Sequence, residues 1–297
     1  MTGTLVVVNP SAGGGRSARA WRALRGEPQL ADARVVEVSL PEIACKELAR
    51  ELDSGLERVL VIGGDGSAHL VANQILEMGM AGRVALGLVP TGTGSDLARG
   101  LSLPREPRAA LRRALAATPR GIDVLELKAD DGRRRFVLNV ASVGISGLVD
   151  RSLGHEVRRG ATAYLRGALH ALRSYRPARC AVRVDGRPWY EGEVLVLAVA
   201  NGPVFGHGMR IAPDARLDDG EADVVVIRPV PRWQVPLRLP QLYSGAHLRS
   251  RYSRTVRARR VRIEPQGPVP PFDTDGEVFE AAPCELVVMP GALRVLA

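Results

Sequence analysis

The segment 58–67, which reads RVLVIGGDGS, decides how this sequence folds. Its first five residues form a short run rich in Val, Leu and Ile, which is typical of a strand buried inside a parallel sheet. The glycine turn Gly63-Gly64-Asp65-Gly66-Ser67 follows, and Ile75 and Leu76 then continue a helical pattern. A strand, a glycine turn and a helix in this order predict a phosphate-binding unit of an α/β domain, because a helix N-terminus offers free backbone N–H groups.

The same order of elements recurs on both sides of this segment. Short apolar runs at 4–9, 34–39 and 84–89 predict three further strands, and helical patterns lie between them. Pro41 suits the first turn of one of these helices, where its missing N–H costs nothing. We therefore expect residues 1–120 to form an open α/β domain with right-handed crossovers.

The second half of the chain has a different pattern. Asp185-Gly186 is a hairpin signal between two strand-like runs, and residues 160–175 read as a helical insert. We expect residues 121–289 to form an antiparallel β-sandwich. The predicted strands of this domain lie at 123–128, 134–141, 179–184, 193–200, 222–227, 256–264 and 285–289.

The composition restricts the class of protein. Of the 297 residues, 45% are hydrophobic and 25% are charged, as in ordinary globular proteins. No apolar run reaches the roughly 20 residues that span a bilayer, and no signal peptide is apparent. Three distant cysteines predict buried thiols in a reducing cytosol, so a cytoplasmic protein is expected. The net charge of +9 predicts an anionic partner, while 4% aromatic residues argue against a nucleic-acid surface.

Three glycine-rich turns each follow a predicted strand, at 9–15, 63–67 and 90–96. One such turn is usually only a tight connection between a strand and a helix. Three of them at the carboxyl edge of one sheet, two with an aspartate, predict a shared phosphate cradle. The sequence lacks GxxxxGK[ST], which excludes a P-loop NTPase, and it lacks a complete GxGxxG, which disfavours a dinucleotide site. The motifs HExxH and GxSxG are also absent.

The ordered turns resemble the signature of the diacylglycerol kinase catalytic family, and most closely its bacterial soluble branch, which is related to sphingosine and ceramide kinases. The matching residues are Asn9-Pro10-x-Ala12-Gly13, Gly63–Gly66 and Pro90-x-Gly92-Thr93-x-x-Asp96-Leu97-Ala98-Arg99. Residues 212–220 and 275–277 follow in the same order, so the resemblance runs along the whole chain. Ser67 stands where the family usually has Thr, and Ser95 where many members have Asn.

The resemblance implies an N-terminal α/β domain of the NAD kinase and phosphofructokinase type, with a final strand at about 290–297 returning to it. It also implies a C-terminal β-sandwich that receives the lipid substrate. The expected activity is transfer of the γ-phosphate of ATP to a hydroxyl of diacylglycerol or a related lipid, with Mg²⁺. Glu277 is the expected proton acceptor, and Asp275 and Asp65 are expected to assist. The implied nucleotide contacts are Asn9, Pro10, Ser11, Ala12, Gly13, Ser39, Gly63, Gly64, Asp65, Gly66, Ser67, Ala68, His69, Thr93 and Asp96.

Two magnesium sites are expected. A carboxylate beside phosphates needs a cation between them, so Asp96 and Asp123 are predicted to hold Mg²⁺ through water. By resemblance, a separate structural Mg²⁺ lies at Asp219, with the main-chain carbonyls of Arg216 and Glu221. An ordinary acidic loop near Asp219 and an ordinary Asp-Gly hairpin turn at 275–276 are the alternatives.

Residues 158–179 read as an arginine-rich amphipathic helix with an apolar stripe. Such a helix predicts transient contact with an anionic membrane, where the lipid substrate lies; the alternative is a helix packed on the second domain. The sequence also leaves open a homodimer. Two other functions stay open, namely another kinase with the Gly-Gly-Asp-Gly turn, such as NAD kinase, and a non-catalytic lipid-binding protein of the same fold.

Overall fold

A computed structural model describes residues 3–38, 41–52, 55–144, 177–268, 272–279 and 283–297. Ser39, the predicted helix at 160–175 and most of the segment 158–179 lie outside these residues. The chain forms two compact units, which are Met1–Ile122 with Gly291–Ala297, and Asp123–Pro290.

The first unit is a parallel sheet with helices between its strands. Its sheet has the order β2-β1-β3-β4, and its strands are β1 (Thr4–Val8), β2 (Arg34–Glu37), β3 (Arg58–Gly63) and β4 (Ala85–Pro90). The last strand of the chain, β16 (Cys284–Leu296), extends this sheet, because Arg294–Leu296 pair in parallel with β4. The helices are α1 (Ala12–Leu24), α2 (Pro41–Leu52), α3 (Asp65–Glu77), α4 (Asp96–Gly100) and α5 (Pro107–Ala116), and a short 3-10 helix spans Pro28–Leu30.

The core of the first unit holds the glycine-rich turns at the edge of the sheet. Val6 and Ile62 on the strands pack in one buried cluster with Leu24 of α1 and Leu111 of α5. Side chains alternate along a strand, so Val7 points to the opposite face, and it is also fully buried. Burial on both faces explains the continuous apolar runs, since each large buried side chain contributes about 1.5–3 kcal/mol.

The second unit contains two antiparallel sheets. One has the order β12-β11-β10-β7-β14-β15, and β16, β13, β8 and β9 are neighbours in the other. Helix α6 (Val235–Ser244) lies between two 3-10 helices, Arg232–Gln234 and Ala246–Arg249. The strands are β5 (Arg120–Ala129), β6 (Arg134–Val137), β7 (Val140–Gly144), β8 (Ala178–Val184), β9 (Arg187–Val194), β10 (Val196–Ala200), β11 (Ala222–Ile227), β12 (Ser253–Ala258), β13 (Arg260–Pro265), β14 (Phe272–Thr274) and β15 (Glu277–Phe279).

The two sheets of the second unit pack face to face. Val143 and Val224 of one sheet share a buried cluster with Val182 and Ile263 of the other, as in a β-sandwich. The predicted fold class, an α/β domain followed by an antiparallel β domain, is confirmed. No helix in the described part of the chain has the length and apolarity to cross a bilayer.

Three predicted strands are each divided in the structure. Residues 134–141 form β6 and β7, residues 193–200 belong to β9 and β10, and residues 256–264 belong to β12 and β13. In each case the two strands enter different sheets. Apolar residues lie on both sides of each break, so their presence alone does not reveal where the strand divides. The hairpin at Asp185-Gly186 is confirmed, with φ of 47° and 79° at its two turn residues.

Candidate functional site

The three glycine-rich turns of the first unit meet at the carboxyl edge of the parallel sheet. Asn9 Nδ2 in the first turn donates a hydrogen bond to Ser67 Oγ beside the second turn, at 3.1 Å. The second and third turns approach so closely that a Cβ on Gly92 would lie 2.6 Å from the Cα of Gly64. The structure therefore brings together the turns that the sequence places after three separate strands.

The first turn has a left-handed backbone at Gly13, Gly14 and Gly15, with φ of 61°, 66° and 83°. A Cβ on Gly13 would lie 2.2 Å from the carbonyl oxygen of Thr91, so glycine is required there by packing. Gly14 and Gly15 have no other atom within 4 Å of such a Cβ position. Their backbone can therefore be approached closely by an anion.

Asp65 and Asp96 both have partners within the first unit. The two carboxylate oxygens of Asp65 accept hydrogen bonds from the backbone N–H groups of Asp96 (3.1 Å) and Leu97 (3.3 Å), so Asp65 caps α4. Asp96 is buried and forms an ion pair with Arg99 at 2.6 Å. A carboxylate oxygen has two lone pairs, so both groups keep the capacity to bind a cation.

The first turn of α3 is buried. Ser67 and Ala68 are 6% and 4% exposed, and His69 is 2% exposed. The Nε2 atom of His69 lies 3.2 Å from the Nδ2 atom of Asn73, one turn further along α3. The side chain of His69 is thus occupied within its own helix.

A pocket of about 690 Å³ lies beside the third turn in the first unit. Arg16 joins the first and third turns, because it donates hydrogen bonds to the carbonyl of Gly13 (3.0 Å) and to Thr93 Oγ1 (3.1 Å). The hydroxyl of Thr91 is buried and has no hydrogen-bond partner among the described residues. The crevice at Gly63–Asp65 is far smaller, about 10 Å³. The pocket is also lined by Arg19, Arg99, Arg105 and Arg108.

These arginines were not predicted as site residues from the sequence. Arg16 could have been identified from the sequence, because it directly follows the glycine run 13–15. The other four are separated along the chain, and only the packing of α1 near α4 and α5 gathers them. Arg99 pairs with Asp96 and Arg108 with Glu27, and the positive charge that the other arginines add suits a phosphate-bearing ligand.

In the second unit, Asp275 and Gly276 are the two-residue turn between β14 and β15, with φ of 54° and 88°. Such a turn requires left-handed backbone at both positions, which Asp and Gly supply. The carboxylate of Asp275 accepts three backbone N–H groups, from Leu138 (2.7 Å), Asn139 (3.0 Å) and Val140 (2.9 Å). Asp275 therefore fixes the break between β6 and β7.

Glu277 begins β15 directly after this turn. Its carboxylate pairs with the guanidinium of Arg135 on β6, and the side chain is 43% exposed. The two acidic residues of this element therefore have different surroundings. Asp275 is held by backbone N–H groups, whereas Glu277 faces Arg135 and solvent.

Asp123 is 2% exposed, and its Oδ2 accepts the backbone N–H of Gly220 at 2.6 Å. Its side chain therefore anchors the acidic loop around Asp219. Asn201 continues this network, because its Nδ2 donates to the backbone carbonyls of Asp123 (2.8 Å) and Leu138 (2.7 Å). The Oδ1 atoms of Asn201 and Asn139 are buried without a hydrogen-bond partner among the described residues. Both asparagines were missed by sequence reasoning, although each interrupts an apolar run.

The predicted structural magnesium site at Asp219 is occupied by an arginine side chain. The guanidinium of Arg257 pairs with Asp219 Oδ2 and lies 3.2 Å from Glu221 Oε2, while Asp219 Oδ1 accepts the backbone N–H of Glu221. The side chain of Arg216 contacts Asp218, whereas the prediction concerned its main-chain carbonyl. In the described part of the chain, no three His, Cys, Asp or Glu side chains are grouped to hold a metal. The Asp219 carboxylate therefore already has a cationic partner in Arg257, and Mg²⁺ held with the main-chain carbonyls of Arg216 and Glu221 stays a prediction.

The charge around Asp223 agrees with the assignment of Arg257 as the cation of this acidic cluster. Burial raises the pKa of Asp223, which faces Arg257 across β11 and β12, and the charge of Arg257 opposes that increase. Arg257 is thus the cation that neutralises this acidic cluster.

Comparison with known proteins covers nearly the whole chain. Residues 3–127 match the diacylglycerol kinase catalytic domain, and residues 139–297 match the YegS C-terminal NAD kinase beta sandwich-like domain. The protein named "Probable lipid kinase YegS-like" from Pseudomonas aeruginosa (strain UCBPP-PA14) is 31% identical over 295 residues, which cover 98% of this chain and 93% of that protein.

Two further relatives extend this comparison. A protein of the same name from Chromohalobacter salexigens is 35% identical over 189 residues, which are 61% of this chain and 57% of that relative's length. A crystal structure of a diacylglycerol kinase from Bacillus anthracis str. Sterne has a TM-score of 0.74 at 21% identity, and covers 99% of this chain and 96% of that one. This last similarity shows a shared fold.

Proposed function

Because the chain belongs to the lipid kinase family that joins a diacylglycerol kinase catalytic domain to a YegS C-terminal domain, we propose that it transfers the γ-phosphate of ATP to a hydroxyl of diacylglycerol or a related lipid. The observation that carries this proposal is the meeting of three glycine-rich turns at one edge of the parallel sheet. Open α/β domains bind their ligands at this edge.

The residues at this edge fit a polyphosphate. Gly14 and Gly15 leave their backbone open, and the hydroxyl of Thr91 is buried without a protein partner among the described residues. Arg16 stands between the first and third turns and brings positive charge to the same place. The predicted nucleotide contacts at 9–13, 63–69, Thr93 and Asp96 all lie in or beside these turns, and Ser39 alone lies outside the described residues.

Mg²⁺ suits the carboxylates of Asp65 and Asp96 in the first unit, because hard cations prefer oxygen ligands. When bound, the ion would offset the repulsion between these carboxylates and the phosphates. Asp123 lies in the second unit, where it is buried and its Oδ2 accepts the backbone N–H of Gly220, and its water-mediated contact with Mg²⁺ stays a prediction. No step is assigned to a metal at Asp219, where Arg257 supplies the positive charge.

Glu277 is the proposed proton acceptor. The hydroxyl oxygen of the lipid forms a bond to the γ-phosphorus, the bond from that phosphorus to the β–γ bridging oxygen breaks, and ADP leaves. The hydroxyl proton passes to the Glu277 carboxylate. Arg135 holds that carboxylate beforehand, and the substrate hydroxyl has to compete with this ion pair. The proposed partner is a lipid at a membrane surface, and the proposed location is the cytoplasm.

Radiolabelled ATP tests this function with diacylglycerol, monoacylglycerol, phosphatidylglycerol, sphingosine and ceramide in mixed micelles, and with NAD as a further acceptor. We expect labelled lipid, and a decrease in kcat of about 10²–10⁴-fold in Glu277→Gln, because a general base contributes about that much. Glu191→Gln is the matched control, since Glu191 is 61% exposed and contacts Arg179 and Gln266 at the surface. Label in NAD and in none of the lipids would refute the proposal, and full activity of Glu277→Gln would remove Glu277 from the mechanism.

A further inference from the structure

Helix α6 of the second unit exposes two large apolar side chains. Trp233 and Leu237 are 71% and 68% exposed, more than any other large apolar side chain in the described residues. Trp233 lies in the 3-10 helix that precedes α6, and Gln234 at the junction has helical backbone angles. A spacing of four residues therefore places Trp233 and Leu237 on the same side, whereas Val235 points inward and is buried. We name Trp233 and Leu237 the α6 patch.

The chain around the α6 patch carries only positive charge. No Asp or Glu occurs between Arg228 and Ile263. Arg238 on α6 and the neighbouring Arg251 stack on the ring of Tyr252, with guanidinium carbons 4.8 and 5.0 Å from its centroid. A hydrogen bond from Arg251 to the Tyr252 hydroxyl, with the charges of Arg251, Arg238 and Arg228, lowers the pKa of that hydroxyl. We name Arg228, Arg238 and Arg251 the Tyr252 arginine cluster.

The Tyr252 arginine cluster has no acidic partner. Among the described residues, none of its three members forms an ion pair with a carboxylate. Further along the same region, by contrast, Arg257 pairs with Asp219, Arg260 with Glu285, and Arg262 with Asp130. The three guanidiniums donate hydrogen bonds to neutral groups, which are the Arg251 carbonyl, Gln234, Ser250 and Tyr252. No carboxylate of the described residues therefore offsets their positive charge, whereas the charge at the start of β13 is neutralised within the protein.

We infer that the α6 patch and the Tyr252 arginine cluster dock on the surface of an anionic lipid bilayer. Trp favours the membrane–water interface, and Leu favours the acyl boundary beneath it. Arginines attract acidic headgroups. The biological purpose of this docking rests on the proposed lipid kinase function, while the docking itself uses residues outside the catalytic machinery.

Two other partners fit these observations less well. In a two-fold dimer through the α6 patch, each copy would bring the same arginine cluster against its equivalent, and like charges would repel. A single-stranded nucleic acid needs aromatic side chains on which successive bases stack, and Leu237 supplies no such ring. Both partners are outcomes that the experiments below can detect.

Co-sedimentation with phosphatidylcholine vesicles, with and without phosphatidylglycerol, tests the docking. In Trp233→Ser/Leu237→Ser, we expect binding to the anionic vesicles to weaken by about tenfold or more, since two large apolar side chains lose their burial. Val35→Ser is the matched control, because Val35 is 44% exposed on β2, in the other unit. Arg228→Gln/Arg251→Gln should also weaken anionic binding, whereas Arg133→Gln should not, since Arg133 pairs with Asp131.

The fluorescence of Trp233 locates the contact. In the full chain with Trp21→Phe and Trp189→Phe, we expect a blue shift on anionic vesicles and quenching by lipids brominated near the headgroup. Unchanged Trp233 fluorescence in vesicle-bound protein would overturn the inference, because another element, such as the segment 158–179, would then make the contact. It is also overturned if wild type fails to bind anionic vesicles, prefers single-stranded DNA to them, or forms a dimer that the α6 double variant abolishes.

Phosphate transfer to a short-chain, water-soluble diacylglycerol separates the docking from the catalysis. The α6 double variant should keep the wild-type rate with this substrate and lose activity only with vesicle-bound lipid. Docking through Trp233 without any phosphate transfer would support the inference and refute the proposed kinase function. Equal activity of wild type and variant on vesicle-bound lipid would count against the docking.

Discussion

Asp275→Asn removes one acceptor oxygen from a carboxylate that receives three backbone N–H groups. Oδ1 accepts from Asn139 and Val140, and Oδ2 accepts from Leu138. Asparagine keeps the first oxygen but places an NH₂ group opposite the N–H of Leu138. It also tolerates the positive φ of 54° at this turn, so the backbone adds no strain of its own.

The expected cost follows from these contacts. A hydrogen bond to a charged group contributes about 1.5–3 kcal/mol, and leaving a buried donor unsatisfied costs about 1–3 kcal/mol. Asp275 is only half-buried, so solvent compensates part of the loss. We expect the free energy of unfolding of the second unit to decrease by about 1–3 kcal/mol. For a unit of this size, that corresponds to a decrease in Tm of about 2–12 °C.

Calorimetry and urea unfolding of the full chain measure this change. Asp131→Asn is the control, because Asp131 also lies in a turn of the second unit but binds only the exposed Arg133, and a surface pair of this kind contributes about 0–1 kcal/mol. If Asp275→Asn unfolds at the same temperature as Asp131→Asn, the three N–H contacts do not stabilise the break between β6 and β7. Such a result would refute the structural role assigned to Asp275.

Three other predictions concern separate parts of the molecule. Arg257→Ala leaves the carboxylates of Asp219 and Glu221 without their cation, so we expect its Tm to decrease and to recover partly with added Mg²⁺. The Tm of the wild type should not respond to EDTA, and an EDTA-sensitive wild type would contradict this prediction. Burial lowers the pKa of His247 below its usual 6.5, so the unfolded chain binds the proton first. Stability is therefore complete above about pH 6.5 and is lost as the pH falls below it; His247→Gln should flatten the dependence of Tm on pH, and an unchanged profile would contradict the assignment. Burial raises the pKa of Cys180 to about 11 and that of Cys284 to about 12. In a Cys45→Ser background, iodoacetamide at pH 7.5 should therefore modify neither thiol before the protein unfolds. Rapid labelling of the native protein, measured by mass spectrometry, would contradict this by showing that the thiols are accessible.

The sequence predicts the site best where its signals are local. The buried strand at 58–62, the glycine turn after it and the helix that begins at Asp65 are all read from neighbouring residues, and the structure contains each of them. The order of three such turns after three strands was enough to expect them at one edge of the sheet. The Asp275-Gly276 turn was also visible as a hairpin signal.

Contacts between distant residues could not be read in this way. Asp275 binds backbone N–H groups 135–137 positions away, and this contact divides an apparently continuous strand. Arg257 reaches Asp219 only because β11 and β12 are neighbours in one sheet. Neither contact leaves a local pattern in the sequence. The sequence therefore did not reveal that Arg257 pairs with Asp219 in the acidic loop.

The amino-acid sequence by itself determined the fold class and the three glycine-rich turns of the first unit, because hydrophobic periodicity and glycine conformations act over a few residues. Only the tertiary structure decided what each charged group does. It made Asp65 a cap for α4, gave Asp219 an arginine partner, and left Trp233 and Leu237 exposed beside arginines without carboxylates. The physical reason is that the role of a charge depends on which group lies within a few ångströms of it, and the packing of distant segments sets that distance.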